Sequence, residues 1–187
     1  MASLSASETR LMNPTSPSTP PVSSEEFDPT GSVILVVDDN EQNVELLQAY
    51  LESMPVEVLT ASDGAQALEM VHQEDTPKPD LVLLDVMMPR MSGFEVCQKL
   101  KSDPQTRDIP VMMVTALNEL GDIERGVEAG TDEFLSKPVN KLELLTRVRS
   151  LLRAHRSRQA GDNKDAYIRD LERMLEQDQR PEPGGSA

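Results

Sequence analysis

Five short apolar runs alternate along this sequence with five longer amphipathic stretches, and this alternation restricts the possible folds more than any other feature. The first run, Val33 to Val37, is continuously apolar and rich in β-branched residues, which is typical of a strand buried on both faces. Further strands are predicted at Glu57 to Ala61, Leu81 to Leu84, Val111 to Thr115 and Glu133 to Ser136. Helices are predicted at Gln42 to Met54, Gly64 to Gln73, Gly93 to Lys101, Leu120 to Ala129 and Lys141 to His155.

This order of elements predicts an α/β fold, a (βα)5 doubly wound parallel sheet of five strands with a C-terminal helix. Right-handed crossovers and the flavodoxin-like strand order 2-1-3-4-5 are expected. Residues 1–31 are rich in Ser, Thr and Pro and predict a disordered leader. Residues 32–156 are predicted to form the α/β domain. Residues 157–187 predict a polar linker, a short helix capped by Asp162, and a loose tail.

Composition excludes several classes of function. The net charge of -15 argues against nonspecific binding to nucleic acid or to an anionic membrane, since both reward basic surfaces. The single cysteine, Cys97, excludes an internal disulfide, and we interpret it as a small helix hydrophobe. The sequence has neither a membrane-spanning apolar run nor a signal peptide, so the expected location is the cytoplasm.

Reactive side chains follow four of the five predicted strands. Asp38 and Asp39 follow the first strand and Asp85 the third, while Thr115 ends the fourth and Lys137 follows the fifth. Ligands of open α/β sheets bind at the carboxyl ends of the strands, where these groups meet. Carboxylate oxygens suit Mg²⁺, and a metal ion with a lysine facing a carboxylate makes a site for phosphoryl transfer.

Each of these residues alone also fits an ordinary structural role. Asp after a strand is a common turn or N-cap residue, and a lysine before a proline is often only solvated. Their joint placement at adjacent strand ends favours a functional site. A flavodoxin-like cofactor binder is the alternative of another class, but Asp38 and Asp39 stand where a phosphate-binding loop would be, and they would repel a flavin phosphate.

Four sequence blocks resemble the signature blocks of response-regulator receiver domains, and the resemblance runs from about Val33 to about His155. The blocks are Val36-Val37-Asp38-Asp39-Asn40, Leu83 to Gly93, Val114-Thr115-Ala116 and Leu135-Ser136-Lys137-Pro138. The resemblance implies that Asp85 is the phosphoacceptor. It also implies that Asp39 binds Mg²⁺ directly and Asp38 largely through water, with Asp85 and the backbone carbonyl of Met87 as the other ligands.

The resemblance assigns switching roles as well. Lys137 would pair with the phosphoryl group, or with Asp85 when the protein is unphosphorylated. Thr115 would move to bond the phosphoryl group, and Phe134 would change rotamer with Thr115. The Lys137-Pro138 bond would be cis. The output surface would be the face formed by the fourth helix, fifth strand and fifth helix, through which the protein would bind a downstream partner or form a homodimer.

The resemblance thus implies a phosphorylation-dependent switch, a regulatory phosphoacceptor and not an enzyme acting on other substrates. The phosphodonor would be a histidine kinase or a histidine phosphotransfer protein. An alternative is that the chain is the receiver fragment of a longer effector protein, an enzyme or a transcription regulator. In this family the side chains two positions after the phosphoacceptor and two after the threonine influence attack by water, so the apolar Met87 and Leu117 at these positions imply slow autodephosphorylation. Neither His72 nor His155 is expected to carry a phosphoryl group.

Overall fold

The computed structural model describes residues 27–116 and 120–178, and within them five strands alternate with five helices. The strands are β1 (Ser32–Val37), β2 (Val56–Ala61), β3 (Leu81–Leu84), β4 (Val111–Thr115) and β5 (Glu133–Ser136). The helices are α1 (Glu41–Leu51), α2 (Gly64–His72), α3 (Gly93–Ser102), α4 (Leu120–Ala129) and α5 (Lys141–Asp178). In the described part of the chain, no helix is both long enough and apolar enough to cross a membrane.

The strands form one parallel sheet in the order β2-β1-β3-β4-β5, which confirms the predicted topology. The register aligns the carboxyl ends of the central strands, because Val37 of β1 is paired with both Ala61 of β2 and Leu84 of β3. At the other side of β3, Thr115 at the end of β4 is paired with Ser136 at the end of β5. The residues that follow β1, β3 and β5 therefore emerge at one edge of the sheet.

Both faces of the sheet are covered by aliphatic cores. Alternate residues of β1 point to opposite faces, so that Leu35 packs on the side of α2 and α3 while Ile34 packs on the side of α1 and α5. All six residues of β1 are buried, as are all four of β3 and all five of β4. Each fully buried Leu, Ile or Val contributes roughly 1.5–3 kcal/mol, which makes these three strands the rigid base of the site.

Side-chain caps set the starts of the first three helices. Asn40 accepts a hydrogen bond from Gln42 N at the start of α1, and Asp63 accepts one from Gln66 N at the start of α2. At the start of α3, Ser92 and Glu95 form a reciprocal capping box. The predicted boundaries agree with these starts to within one residue.

The first helix ends earlier than predicted. It stops at Leu51 and not at Met54. Met54 precedes Pro55, and a residue before proline is disfavoured in helical conformation. The chain instead turns there, with Met54 N donating to the carbonyl of Leu51 at 2.8 Å.

The linker expected after His155 is wrong, because α5 continues as one helix of 38 residues to Asp178. At 1.5 Å per residue it is about 57 Å long. Gly161 and Asp162, the expected break and cap, both lie inside the helix. A glycine in a helix costs only about 1 kcal/mol relative to alanine, and no proline interrupts this stretch.

The segment before β1 is bound to α5, so the expected disordered leader does not extend to residue 31. Arg156 donates to the carbonyls of Asp28 and Thr30, at 2.7 Å each, and to Ser32 Oγ at 3.0 Å. Its guanidinium group also lies 5.3 Å from the centre of the Phe27 ring. One arginine thus satisfies backbone groups of the entering chain, while the rest of the predicted leader, residues 1–26, lies outside the described residues.

His155 of α5 is buried near Asp80, the residue that precedes β3, and it makes the stability of the protein depend on pH. Its Nε2 lies 2.7 Å from Gln159 Nε2 and 3.9 Å from Asp80 Oδ1, while its Nδ1 has no hydrogen-bond partner among the residues that the structure describes. Burial lowers the pKa of His155, and the charge of Asp80 only partly opposes this.

Because the unfolded chain then binds a proton more readily than the folded one, stability is expected to fall as pH drops below about 6.5. His155→Gln should flatten this dependence when urea unfolding is measured between about pH 5 and pH 7.5. Protonation of His72, the only other histidine, should instead favour the folded state at low pH, since its hydrogen bond to Asp103 raises its pKa. An unchanged pH dependence in His155→Gln would contradict this assignment.

Candidate functional site

The residues predicted at the strand ends lie together in the structure. Asp38 directly follows β1, Asp85 follows β3 and Lys137 follows β5. The ammonium group of Lys137 lies 2.8 Å from Asp38 Oδ2 and 2.7 Å from Asp85 Oδ1. The side chain of Lys137 therefore crosses the sheet edge and joins two carboxylates that are far apart in sequence.

Three carboxylates form an acidic cluster at this edge. Asp38, Asp39 and Asp85 each offer an oxygen, and these oxygens all lie within 4.8 Å of one another. Asp38 and Asp85 are buried, whereas Asp39 is exposed. Hard carboxylate oxygens with one side open to water are the ligand set that Mg²⁺ prefers, so the donor chemistry of the site fits this ion.

Asp38 is fixed by donors from the start of α1. Its Oδ1 accepts from Asn40 N at 2.9 Å, and its two oxygens accept from Asn43 Nδ2 at 3.1 Å each. Asn43 is a site residue that the sequence motifs do not identify. Its position in the first turn of the helix that follows Asp38 is the available signal, because a side chain there faces back toward the strand end.

The electrostatics of Asp85 are set by burial and by two neighbours. Burial raises the pKa of Asp85, the charge of Asp38 raises it further, and Lys137 partly offsets both effects. For Lys137, burial lowers the pKa, but the hydrogen bonds to Asp38 and Asp85 outweigh burial and leave it above its usual value. Lys137 therefore stays a cation, facing a carboxylate that is costly to keep charged without a positive partner.

The loop after β3 holds the second oxygen of Asp85. Met87 N donates to Asp85 Oδ2 at 2.8 Å, and the Met87 side chain is 66% exposed. At the end of the loop, Gly93 N donates to the carbonyl of Val86 at 3.0 Å. A Cβ on Gly93 would clash with the carbonyl oxygen of Asp85, so the start of α3 packs directly on the backbone of the site.

The two residues expected to switch lie beside this cluster. Thr115 is buried at the end of β4, and its carbonyl accepts a hydrogen bond from Lys137 N at 2.9 Å. Phe134 is half-buried, and its ring fills the space next to Gly126 of α4, with Met113 nearby. The Lys137-Pro138 bond is cis, as the resemblance implied.

The surface formed by α4, β5 and the start of α5 carries exposed aliphatic side chains. Ile123 and Val127 of α4 are 44% and 64% exposed, and Leu142 of α5 is 76% exposed. Arg147 of α5 is ion-paired with Glu133 of β5 at 2.7 Å. This surface, called the α4–β5–α5 face below, thus combines apolar and charged groups.

Cys97 is a structural residue, as expected. It is fully buried in α3, and burial raises the pKa of its thiol to about 11. A thiol that stays protonated is a poor nucleophile and a poor metal ligand. Leu117, which is expected to influence dephosphorylation, lies outside the described residues.

Comparisons with known proteins agree with this fold. A family model described as the response regulator receiver domain matches residues 34–149. Response regulator PleD of Caulobacter vibrioides (strain NA1000 / CB15N) is 54% identical over 120 residues, which cover 64% of this chain and 26% of that protein. The chain therefore matches only about a quarter of the length of this relative.

Two solved structures share the fold. The Mn(2+)-bound form of response regulator Rcp1 is 29% identical, with a TM-score of 0.57, over 64% of this chain and 91% of that chain. The phosphorylated cyanobacterial phytochrome response regulator RcpA is 31% identical, with a TM-score of 0.57, over 64% of this chain and 90% of that chain. With the family model covering more than half of its length, the chain belongs to the response regulator receiver domains, the regulatory modules of two-component signalling.

Proposed function

We propose that this protein is a phosphorylation switch whose phosphoacceptor is Asp85. The observation that supports this most directly is the placement of Asp85 Oδ1 at 2.7 Å from Lys137 Nζ, beside Asp38, at the carboxyl edge of the sheet. The donor is the phosphohistidine of a histidine kinase or of a histidine phosphotransfer protein. The protein is thus a regulatory phosphoacceptor that catalyses only its own modification.

The transfer balances in one displacement. An oxygen of the Asp85 carboxylate forms a bond to phosphorus as the phosphorus–nitrogen bond of the donor breaks, and the bonding electrons remain on the imidazole nitrogen. Lys137 compensates the charge of the phosphoryl oxygens, and the Thr115 hydroxyl donates a hydrogen bond to one of them. Mg²⁺ would be held by Asp38, Asp39, Asp85 and the carbonyl of Met87, and when bound it supplies positive charge that offsets the same oxygens.

Two of the similar structures support these assignments by analogy. Rcp1 was solved as an Mn(2+)-bound response regulator, and RcpA as a phosphorylated one. Each of the two structures covers 64% of this chain, which is about the share that the α/β domain with the acidic cluster occupies. A divalent cation and a phosphoryl group are therefore consistent with this fold.

The output of the switch is a change at the α4–β5–α5 face. When Thr115 is drawn toward the phosphoryl group, it leaves space for the ring of Phe134, which lies between β5 and α4. The exposed Ile123, Val127 and Leu142 make this face suitable for a downstream protein or a second copy of the chain. The net charge of -15 disfavours nucleic acid as the partner, and a cytoplasmic location suits a kinase-dependent switch.

The proposal is tested by intact mass after incubation with acetyl phosphate, with Mg²⁺ or with EDTA. We expect one phosphoryl adduct that requires the metal ion, and peptide mapping should place it on Asp85 and not on Asp38 or Asp39. A folded protein that gains no adduct, or gains it elsewhere, would refute the assignment of Asp85.

Dephosphorylation is expected to be slow. In receiver domains, the side chains two positions after the phosphoacceptor and two positions after the threonine influence attack by water. In this sequence these residues are Met87 and Leu117, whose apolar side chains cannot orient a water molecule. After the donor is removed, the adduct should persist for minutes or longer, followed by intact mass over time. Met87→Glu, which offers a group that can orient water, should shorten this lifetime, whereas loss within seconds in the wild type would contradict the prediction.

A second candidate is that the chain is the receiver part of a longer effector protein. It is favoured by the match to only 26% of the length of PleD and by the continuation of α5 as a helix to Asp178. The two possibilities are separated by the size of the native polypeptide in extracts of the source cells, detected with an antibody against the receiver domain.

A further inference from the structure

Arg90 adopts an unusual backbone conformation in the loop between β3 and α3. Its φ is +69°, and in the described part of the chain it is the single non-glycine residue with positive φ. Met91 N donates to the carbonyl of Pro89 at 2.8 Å, which closes a three-residue turn centred on Arg90. Residues with a Cβ are strained in such a turn, and glycine or asparagine would be the less costly choice.

The side chain of Arg90 forms an ion pair with Asp63. Its Nη2 lies 2.6 Å from Asp63 Oδ2, at the start of α2, and the arginine side chain is 76% exposed. Exposed ion pairs of this kind contribute little to stability, less than a strained turn of this kind costs. Stability alone therefore does not explain an arginine at this position.

The loop that Arg90 anchors begins at the reactive carboxylate. Met87 N donates to Asp85 Oδ2, while Met91, next to Arg90, lies close to Gly64 at the start of α2. A Cβ added to Gly64 would clash with Val96 of α3 and come within 3.2 Å of Met91 Sδ, so this glycine leaves room for both α3 and the loop. The loop is thus attached to Asp85 at one end and to α2 at the other.

We propose that Arg90 is a positioning residue for the phosphoryl transfer, acting through its ion pair with Asp63. The pair holds the loop Met87 to Ser92 on the start of α2, and the loop keeps the hydrogen bond from Met87 N that orients the Asp85 carboxylate. This inference rests on the proposed function, because orientation matters only if Asp85 is the acceptor.

The test compares the rate of adduct formation from acetyl phosphate in variants of the full chain. Arg90→Ala and Asp63→Asn should each lower the rate about two- to fivefold, and the double variant no further, since one interaction is removed in each case. Asparagine at position 63 can still cap α2. Arg90→Lys, which keeps the charge, should recover part of the rate.

Arg90→Gly separates positioning from stability. It removes the ion pair but also the strain, so the rate should fall while the urea midpoint stays unchanged or rises. The matched control is Asp103→Asn, which removes the ion pair between His72 and Asp103 at the far end of α2 and should leave the rate unchanged. Wild-type rates in Arg90→Ala and Asp63→Asn, or a rate loss that follows lower stability, would overturn the inference.

Amide hydrogen exchange of the unphosphorylated protein tests the anchoring of the loop without requiring that an adduct forms. Residues 87–92 should exchange faster in Arg90→Ala and Asp63→Asn than in the wild type. If the wild type takes up no phosphoryl group, the proposed function fails, and faster exchange would still support the anchoring of the loop. Unchanged exchange would refute the anchoring whatever the phosphorylation result.

Discussion

Replacing Asp85 by asparagine is expected to abolish formation of the phosphoryl adduct while the protein stays folded. The amide has the size and shape of the carboxylate but is a far weaker nucleophile. Intact mass after incubation with acetyl phosphate and Mg²⁺ should show no gain in Asp85→Asn, under conditions in which the wild type is modified. Asp108→Asn, at an exposed aspartate, is the control and should be modified like the wild type.

The same variant should also be more stable than the wild type at neutral pH. Burial and the charge of Asp38 raise the pKa of Asp85, so the folded state disfavours the charged carboxylate relative to the unfolded chain. Removing the charge relieves this penalty, and Lys137 keeps Asp38 as its partner. A higher urea midpoint together with loss of the adduct would show that Asp85 provides reactivity at a cost in stability. A residual adduct on Asp85→Asn would mean that another residue is the acceptor.

Gly93→Ala is expected to lower the free energy of unfolding more than substitutions next to a surface loop usually do. A Cβ at this position would clash with the carbonyl oxygen of Asp85 and lie 2.8 Å from the Cα of Val86. Both atoms belong to the backbone and cannot rotate away, so either α3 or the end of β3 has to shift. Overpacking of this kind typically costs about 1–3 kcal/mol, and we expect a value toward the upper end from urea unfolding.

Gly161→Ala is the matched control, since Gly161 is also a helical glycine. Apart from its own turn of the helix, none of the described residues has an atom within 4 Å of the position that its Cβ would take. Alanine there should stabilise the protein by up to about 1 kcal/mol, because it favours the helix. If Gly93→Ala were as stable as the wild type, the close packing of α3 on the site would be contradicted. A slower phosphorylation rate in Gly93→Ala would further indicate that the shift reaches Asp85.

The fold could be predicted from local patterns. The bounds of β3, β4, β5 and α4 agree with the structure residue for residue, and the strand order is also confirmed. Fully apolar β-branched runs are distinctive signals of buried parallel strands, and alternation with helices leaves few topologies. The predicted ends of α1 and α5 are wrong. For α5 the reason is that a weak breaking signal such as Gly161 does not outweigh a favourable helix.

The candidate site was also accessible from sequence, since residues at the carboxyl ends of parallel strands must meet. Asp38, Asp39, Asp85, Thr115 and Lys137 follow from that rule alone. The roles of Asn43 and Arg90 could not be predicted from this rule, because they depend on how the start of α1 and the β3–α3 loop pack against the strand ends. Contacts between elements distant in sequence, such as Arg90 with Asp63, leave no periodic signal.

The sequence by itself therefore determined the layers of this protein, the order of its strands and the identity of the groups at the sheet edge. Hydrophobic periodicity and the residue types at strand ends are local properties, and they can be recognised in the sequence without knowledge of the fold. Only the tertiary structure decided that Lys137 contacts Asp38 as well as Asp85, that Arg90 is ion-paired with the start of α2, and that Arg156 binds the chain before β1. These contacts depend on distances between side chains brought together by packing, and packing is a property of the folded chain as a whole.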